Sequence, residues 1–412
     1  MKNVFILTEL KIYEGTSAGS SRMMNVAKAL ALEGVKVYLC SKFFNININK
    51  IREVYPNIFL LGEEKKKKIN KLKRRLYLPV NIILTIKYLK KIFNLSKQIP
   101  GENVFYIYPQ PEISIDVVSL LYGKVINNHK LFYDINELRI AGLKNRIFSR
   151  NLVIGLYEII LYFFDFVKYN IAERLTKYYS GLIVISTNIQ NYFRRYNRNL
   201  LRVPILSDTL ANPFDQNPSQ KKIEKFLIGF TGQITQKKEG FDTFYKALSI
   251  VKSKFEDFEL NLYGFIFKNE KQMLLNNIPL KYGIKENIIY HGIIDRGNIM
   301  KEIQKNHLLI LPRGLNLQTK FGFSTKLSEY LVSGVPVLIT DVSDNSLYIK
   351  DGYNGFIVQP DDYIDMAKKI LYIFSNYKSI SDNISKNAYE TARKYFDYSN
   401  YSKKIYNFLF RI

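Results

Sequence analysis

The sequence predicts an α/β protein with two doubly wound domains, each built on a parallel sheet. Short apolar runs alternate with helical patterns along the whole chain, which is typical of parallel α/β sheets. The length of 412 residues suits two domains of medium size. A polar segment punctuated by Pro204, Pro213 and Pro218 separates two series of such runs, so we place the domain boundary near residues 205–222.

The apolar runs predict six strands on each side of this boundary. The first series comprises Val4–Thr8, Val35–Ser41, Ile58–Leu61, Val104–Tyr108, Lys130–Tyr133 and Leu182–Ser186. The second comprises Phe226–Thr231, Glu259–Tyr263, Ile288–Tyr290, Leu308–Leu311, Pro336–Thr340 and Phe356–Val358. We expect a cleft between the two domains.

The composition favours an anionic partner and a reducing compartment. The 61 Lys and Arg residues exceed the 36 Asp and Glu residues, which gives a formal net charge of +25. The single cysteine, Cys40, excludes an intramolecular disulfide framework and a cysteine-based zinc site. The first apolar run is too short for an export signal, so we expect a cytoplasmic protein. Because no zinc-finger spacing, RNA-binding strand or helix-turn-helix pattern is present, we expect no nucleic-acid partner.

A basic cluster predicts contact with an anionic membrane surface. Residues Lys65–Arg75 contain eight cations, and apolar residues such as Leu78 and Ile82 follow at once. The other interpretation of this cluster is a solvated loop. The most apolar stretch, Leu152–Val167, is interrupted by Glu158 and Asp165 and is too short to span a bilayer, which favours a core or interfacial helix.

Three segments follow predicted strands and carry groups suited to phosphate binding. The first segment, Glu14–Arg22, combines glycines with Arg22, which could reach an anion from the first helical turn. The second, Thr231–Asp242, places lysines in a turn. In the third, Phe321–Leu331, a helix N-terminus could hold phosphate, and Glu329 could accept hydrogen bonds from ribose hydroxyls.

The third segment resembles the signature of glycosyltransferase family 4. The residues that carry the resemblance are Ser324–Val337, continued by Ile339–Val342 and Asp351–Val358. The resemblance covers nearly the whole chain and is strongest over residues 226–362. It implies a GT-B architecture of two Rossmann-like domains, with residues 1–205 on the acceptor side, a linker at 206–222 and a nucleotide-sugar domain at 223–390. Residues 391–412 are similar to the family's terminal helix, which returns to the first domain.

The resemblance also implies roles for individual residues. It places Glu329 on the donor ribose and Lys238, or its neighbour Lys237, on the diphosphate. The implied donor-binding residues are Gly19, Gln233, Lys237, Lys238, Gly292, Ile293, Gly322, Phe323, Ser324, Thr325, Lys326 and Glu329. Asn136 and Glu137 occupy implied catalytic positions, and Ser20 and Arg22 lie on the acceptor or phosphate side.

Four positions depart from the family pattern. Phe321 stands where the family has a glutamate, Gln233 where it has an arginine, and Asn136 where it has a histidine, while Glu239 separates Lys238 from the expected glycine. The long loop before Gly322 offers Arg313, Gln318 or Lys320 as a substitute contact.

The expected function is hexosyl transfer from a nucleotide-diphosphate sugar, with retention of configuration, to a lipid-linked saccharide. Such a reaction belongs to bacterial surface-polysaccharide, capsule or O-antigen synthesis at the inner face of the plasma membrane. The absence of a D-x-D triplet predicts a metal-independent reaction without a cofactor. Two alternatives stay open: a sugar-nucleotide epimerase on the same fold, and a non-catalytic protein that binds a nucleotide sugar or another transferase.

Overall fold

The chain divides into two compact units. The first domain combines Met1–Leu206 with Tyr398–Ile412, and the second domain is Ser207–Asp397. The predicted basic cluster and part of the predicted linker lie outside the described residues. The structure, a computed structural model, describes residues 1–10, 17–42, 44–47, 50–64, 78–108, 114–144, 152–211 and 224–411.

The first domain contains an eight-stranded sheet with the order β10-β9-β8-β7-β1-β2-β5-β4. All neighbours in this sheet are parallel except β4 and β5, and β3 pairs with β6 in a separate antiparallel ribbon. The strands are β1 (Lys2–Thr8), β2 (Lys36–Ser41), β3 (Phe44–Asn45), β4 (Ile51–Tyr55), β5 (Ile58–Leu61), β6 (Glu63–Glu64), β7 (Glu102–Ile107), β8 (Lys130–Ile135), β9 (Gly181–Val184) and β10 (Leu200–Arg202).

The central strands of this sheet are apolar because helices cover both sides. Val4, Phe5, Ile6 and Leu7 of β1 are completely buried. The ring of Phe5 stacks on that of Tyr38 in β2, with 4.9 Å between the ring centroids. The apolar run that predicted β1 therefore corresponds to the centre of the first core.

The helices of the first domain come from both of its chain segments. The helix α1 begins after Ser17, whose Oγ accepts a hydrogen bond from the Ser20 backbone N–H at 3.1 Å. The last helix of the chain, α16, packs against α1. The helices are α1 (Ala18–Leu32), α2 (Leu78–Ser96), α3 (Ser114–Ser119) with a π-helical continuation (Leu120–Ile126), α4 (Arg139–Lys144), α5 (Leu152–Leu175), α6 (Thr187–Phe193) and α16 (Ser402–Phe410), with 3-10 turns at Thr176–Tyr178 and Tyr398–Tyr401.

The second domain contains a six-stranded parallel sheet with the order β13-β12-β11-β14-β15-β16. Its strands are β11 (Phe226–Thr231), β12 (Phe258–Tyr263), β13 (Ile288–Gly292), β14 (Leu308–Leu311), β15 (Val337–Thr340) and β16 (Phe356–Val358). Its helices are α7 (Gln236–Glu239), α8 (Phe241–Lys252), α9 (Lys268–Gln272), α10 (Ile278–Lys281), α11 (Arg296–Gln304), α12 (Leu317–Phe321), α13 (Thr325–Ser333), α14 (Asn345–Tyr348) and α15 (Tyr363–Tyr395), with a π-helical turn at Met273–Asn277 and a 3-10 turn at Lys285–Asn287.

The two doubly wound parallel sheets confirm the predicted fold class. All twelve predicted strands are present, with boundaries within two residues of the prediction. The four strands that the sequence did not predict are β3, β4, β6 and β10. They have two to five residues each, and β4 and β10 lie at the edges of the first sheet. Short strands at an edge bury little apolar surface, so their hydrophobic pattern is weak.

Candidate functional site

The loop after β11 lies at the point of the second sheet where the strand order reverses, which is where α/β sheets bind ligands. In this loop Gly232 has a φ of 100°, a conformation that favours glycine. A Cβ atom on Gly232 would lie 2.6 Å from Cε of Lys326. Glycine is favoured here by its backbone conformation, and a larger residue would also have to displace the end of the Lys326 side chain.

A buried ion cluster lies beneath this loop. Arg313 donates from Nε to Oε2 of Glu239 at 3.1 Å and from Nη2 to Oε1 at 3.2 Å. The Lys326 ammonium donates to Oε1 of Glu239 at 2.8 Å. No more than a tenth of each side chain is exposed. Because two cations share one carboxylate, the cluster has a surplus positive charge beside the Gly232 loop.

The environment of the cluster shifts the pKa of both Glu239 and Lys326. Burial alone would raise the pKa of Glu239, but the charges of Arg313 and Lys326 outweigh burial and lower that pKa to about 2. Burial lowers the pKa of Lys326 to about 8, although the attraction of Glu239 opposes the shift. Glu239 is therefore ionised at neutral pH, and Lys326 can lose its proton under mildly alkaline conditions.

The N-terminus of α13 adds further groups suited to an anion. Ser324 precedes the helix, and its Oγ is buried without a hydrogen-bond partner in the structure. The Tyr330 hydroxyl accepts a hydrogen bond from the Thr231 backbone N–H at 2.8 Å, which ties α13 to the end of β11. Glu329 is exposed, three residues after Lys326. The free N–H groups and positive dipole end of such a helix favour a phosphate group.

The structure brings several predicted donor-binding residues to this end of the sheet. Gln233 and Lys237 are exposed in or just after the loop, and Lys238 interacts electrostatically with both Glu239 and Lys326. Lys326 lies inside the cluster and Thr325 opens α13. The predicted substitute cation Arg313 is also present, but it is bound to Glu239.

Other predicted donor-binding residues lie at the edges of this region. Gly292 ends β13 with a φ of 73°, and Ile293 follows it with an exposed side chain. The Phe323 ring is buried against Tyr348 and Phe396, with centroid distances of 5.4 and 5.9 Å. Gly322 and Phe323 can therefore offer only backbone groups to a ligand.

A cavity of about 290 Å³ opens in the first domain. Its walls come from the ends of β1, β7 and β8, from the start of α1, and from α5. The predicted residues Gly19, Asn136 and Glu137 lie together in this wall. The Asn136 side-chain amide donates a hydrogen bond to the Tyr108 hydroxyl, and Glu137 is exposed.

The cavity also contains charged groups that the sequence analysis missed. Arg139 donates from Nη1 to Oδ2 of Asp116 at 2.8 Å, and its buried Nη2 has no partner in the structure. Glu173 accepts a hydrogen bond from the Tyr192 hydroxyl at 2.7 Å, and its buried Oε1 has no partner. Burial raises the pKa of Glu173, although the Tyr192 hydrogen bond opposes this shift. Tyr169 and other aromatic side chains complete the wall.

Buried donors and acceptors without a protein partner are unfavourable unless water or a ligand satisfies them. A polyhydroxylated ring could do so, because its hydroxyls both donate and accept hydrogen bonds and its apolar side can stack on tyrosine. The only sequence signal for Glu173 was a carboxylate close to the most apolar stretch of the chain.

The structure corrects the predictions for Arg22 and Ser20. Arg22 is only 1% exposed, and it donates from Nε to Asp134 at 3.0 Å and from Nη1 to the Pro204 carbonyl at 2.7 Å. Arg22 was expected to reach an anion, but in the structure the donors of its side chain face the interior. Ser20 is also buried, and its Oγ lies 2.8 Å from Oγ of Ser17. Both residues stabilise the first domain.

Among the described residues, no three His, Cys, Asp or Glu side chains are placed to hold a metal ion.

Residues 212–391 match the sequence model of the family described as "Glycosyl transferases group 1". The matched residues lie within the second domain. A comparison with curated protein sequences gives no match.

Solved structures resemble the whole chain in fold at low sequence identity. Sucrose-phosphate synthase from Thermosynechococcus elongatus is 14% identical with a TM-score of 0.72, and the alignment covers 99% of this chain and 98% of that one. HepE from Anabaena, solved in complex with UDP, is 14% identical with a TM-score of 0.67 and full coverage of both chains, 100% and 100%. A trehalose-6-phosphate protein from E. coli bound with UDP-2-fluoro glucose is 12% identical with a TM-score of 0.67, covering 99% of each chain. The chain has the GT-B fold.

Proposed function

We propose that the protein is a retaining glycosyltransferase that moves a hexosyl group from a nucleotide-diphosphate sugar to a saccharide acceptor. The observation that carries the proposal is the surplus positive charge of the Glu239–Arg313–Lys326 cluster beside the N-terminus of α13, within the residues that match the group 1 family model. A diphosphate is the part of the donor that needs such charge, both when it binds and when it leaves.

Each group near the cluster has a proposed role on the donor. Lys326 and Lys238 attract the diphosphate as point charges, and Ser324 with the first N–H groups of α13 donates to its oxygens. Glu329 accepts hydrogen bonds from the ribose hydroxyls. Arg313 and Glu239 hold the Lys326 side chain in place rather than bind the donor themselves.

The proposed reaction breaks the bond between the anomeric carbon and a diphosphate oxygen. The acceptor hydroxyl forms its new bond to the same side of the ring, so configuration is retained. The leaving diphosphate oxygen takes the acceptor proton, which leaves no step for a separate protein base. The cationic side chains stabilise the charge that develops on the diphosphate, and we expect no metal requirement.

We propose that the acceptor binds in the cavity of the first domain, near Asn136, Glu137, Arg139 and Glu173. A lipid-linked saccharide in bacterial surface-polysaccharide, capsule or O-antigen synthesis is the acceptor class that the sequence analysis favours. Attachment at the inner face of the plasma membrane through Lys65–Arg75 is part of the same proposal, and these residues lie outside the described part of the chain.

Calorimetric titration with UDP tests the donor site, since two of the structural relatives were solved with UDP or a UDP sugar. Glu329→Gln should weaken UDP binding roughly ten- to a hundredfold, the effect of losing charge-assisted hydrogen bonds. The matched control is Glu390→Gln, which changes another exposed helical glutamate of the second domain. If both variants bound UDP with the same affinity, Glu329 would not be part of the donor site. If the wild-type protein bound no nucleotide, the proposed donor site would be wrong.

Incubation with a panel of UDP sugars and saccharide acceptors tests the reaction. If the protein transfers the sugar, UDP should be released and a glycosylated acceptor should form. A chelator should not reduce the turnover. Conversion of the UDP sugar into its epimer without UDP release would indicate the epimerase. Nucleotide binding without any product would favour the non-catalytic partner. Activity lost in EDTA and restored by magnesium or manganese would contradict the proposed charge stabilisation.

A further inference from the structure

The longest helix of the first domain, α5, has large apolar side chains on its solvent side. Leu156, Phe163 and Phe164 are 63%, 62% and 65% exposed. At about 100° per residue, the exposed apolar residues cover roughly half of the helix circumference. The apolar face comprises Leu156, Tyr157, Ile159, Ile160, Phe163, Phe164, Phe166, Val167 and Ile171.

Four of the charged residues of α5 lie on its opposite, less exposed side, whereas Arg174 in the last turn is exposed. Asp165 and Lys168 form an ion pair at 2.7 Å on this side, and Glu173 accepts the Tyr192 hydrogen bond. Glu158 also lies on this less exposed side. A helix on the surface of a water-soluble domain has the reverse arrangement, with apolar residues inward and charges outward. The polarity of α5 is therefore suited to a neighbour that is itself apolar.

Two neighbouring helices extend this apolar surface. The short helix α3 packs against both α2 and α5, so the three lie side by side on the first domain. Ile83 and Leu84 of α2 are about half exposed, and Val125 and Ile126 of the π-helical turn after α3 are 74% and 68% exposed. The helix α2 also has exposed Lys87, Lys90 and Lys91 and no acidic residue.

We propose that the exposed faces of α5 and α2 form a membrane-docking surface for an anionic bilayer, with α5 lying in the plane of the interface. The lysines of α2 complement anionic head groups beside the apolar face, which favours lipid over a second protein as the occupant. Within the described residues no helix is long and apolar enough to cross a bilayer. This surface is defined without the predicted basic cluster at Lys65–Arg75, which lies outside the described residues, and it acts mainly through apolar burial.

The same helix links the docking surface to the cavity. Tyr169, Ala172 and Glu173 line the cavity from the inward side of α5. A docked α5 therefore holds the cavity close to the lipid surface, which suits an acceptor whose saccharide is carried on a lipid. This last step rests on the proposed function, whereas docking itself does not.

The absence of tryptophan from the chain allows a direct test. Phe163→Trp places a single tryptophan on the apolar face, and Leu347→Trp places one at a similarly exposed position, 56%, in the second domain. The probe is a vesicle of phosphatidylglycerol and phosphatidylcholine, with and without brominated acyl chains. Phe163→Trp emission should shift to the blue and be quenched by the brominated lipid, while Leu347→Trp emission should change little. No shift for Phe163→Trp at low salt would overturn the proposal.

A second set of variants measures the strength of docking. Phe163→Gln with Phe164→Gln should lower the vesicle partition coefficient on the order of a hundredfold, because two aromatic side chains no longer leave water. Leu280→Gln with Leu347→Gln, a matched pair of exposed residues in the second domain, should leave it unchanged. Part of the wild-type binding should survive high salt, because apolar burial is not screened.

Sedimentation velocity tests whether a second copy of the chain, rather than lipid, covers the apolar face. If the wild-type chain is a dimer that Phe163→Gln converts to a monomer, and vesicles bind neither form, the face is an interface between two copies and the proposal fails.

UDP titration of the same variants keeps the two proposals distinguishable. If the variants bind UDP normally but no longer bind vesicles, the substitutions affect docking alone. If the wild-type chain binds vesicles but no nucleotide, only the proposed function is contradicted.

Discussion

Lys326 combines a buried position with a pKa close to neutrality, and this makes its charge sensitive to a ligand. Its ammonium contacts Glu239 at 2.8 Å and lies 4.4 Å from the Phe230 ring centroid. Burial lowers its pKa to about 8, so near that pH the free protein is a mixture of charged and neutral lysine. A bound diphosphate favours the charged form and raises the pKa.

We therefore expect UDP binding to take up protons at about pH 8 to 9 and UDP affinity to fall as the pH rises through this range. Below about pH 7 the lysine is protonated with or without ligand, so the proton uptake disappears. Calorimetric titrations in two buffers with different ionisation enthalpies measure the uptake directly.

Lys326→Met is the variant for this prediction, because methionine keeps the apolar contact with Phe230 and leaves Glu239 paired with Arg313. It should weaken UDP binding roughly tenfold or more and abolish the proton uptake. Lys301→Met, at an exposed position of α11, is the matched control and should behave like wild type. If the heat of UDP binding did not depend on the buffer anywhere between about pH 8 and 9, Lys326 would be excluded from the diphosphate site.

The residue types of the proposed donor site are visible in the sequence, but the direction of each side chain is not. The sequence analysis treated Glu239 only as an interruption between Lys238 and a glycine. In the structure Glu239 points inward and holds two cations, because α7 is a single turn that ends at Gly240. Likewise, Arg22 was expected to reach an anion from the first helical turn, but its guanidinium pairs with buried Asp134.

The turn between α7 and α8 positions Glu239, and it depends on one crowded glycine. Gly240 has a φ of 67°, and a Cβ atom there would lie 2.4 Å from the Pro312 carbonyl oxygen. Gly283 has nearly the same φ, 68°, but has open space around it. Alanine substitutions at these two glycines therefore distinguish the effect of backbone strain, which both share, from that of the close contact with Pro312, which only Gly240 has.

Gly283→Ala should lower the free energy of unfolding by about 1 kcal/mol, the effect of a side chain at positive φ. Gly240→Ala should lower it by clearly more, because the turn must also move away from Pro312, and UDP affinity should fall as Glu239 shifts. Chemical denaturation and UDP titration of both variants check the prediction. Equal losses of stability would show that the contact with Pro312 is unimportant.

Helices were harder to predict than strands for a physical reason that α5 illustrates. The buried strands of a parallel sheet are apolar on both sides, so a short run identifies them. For Leu152–Val167 the sequence left a core helix and an interfacial helix open, because periodicity alone does not say which side of a helix the domain covers. Only the packed structure shows that Glu158, Asp165 and Lys168 lie on the less exposed side of the helix, with large apolar side chains on the exposed side.

At the scale of the whole molecule, the first domain is completed by the end of the chain. Ile405 and Leu409 of α16 are completely buried, and Phe410 nearly so. The Phe408 ring approaches Gly181 so closely that a Cβ atom on this glycine would lie 2.7 Å from it. The helix α16 thus fills part of the first core although almost 200 residues of the second domain precede it.

Removal of residues 398–412 should therefore destabilise the first domain by several kcal/mol, at roughly 1.5 to 3 kcal/mol for each large apolar side chain lost from the core. Hydrogen exchange should accelerate in α1 and β9, whereas the second domain should keep its protection. Removal of residues 411 and 412 alone is the control and should change little. Unchanged protection of α1 after the larger truncation would contradict this role of α16.

The same division of the first domain between two chain segments also determines the order of events during translation. The ribosome releases most of the first domain early, but α16 emerges only after the whole second domain has been made. Until then the side of α1 that α16 covers stays open to water, and the nascent first domain cannot reach its final stability. The first domain can therefore be completed only after the second domain has been synthesised and the chain has been made through residue 410.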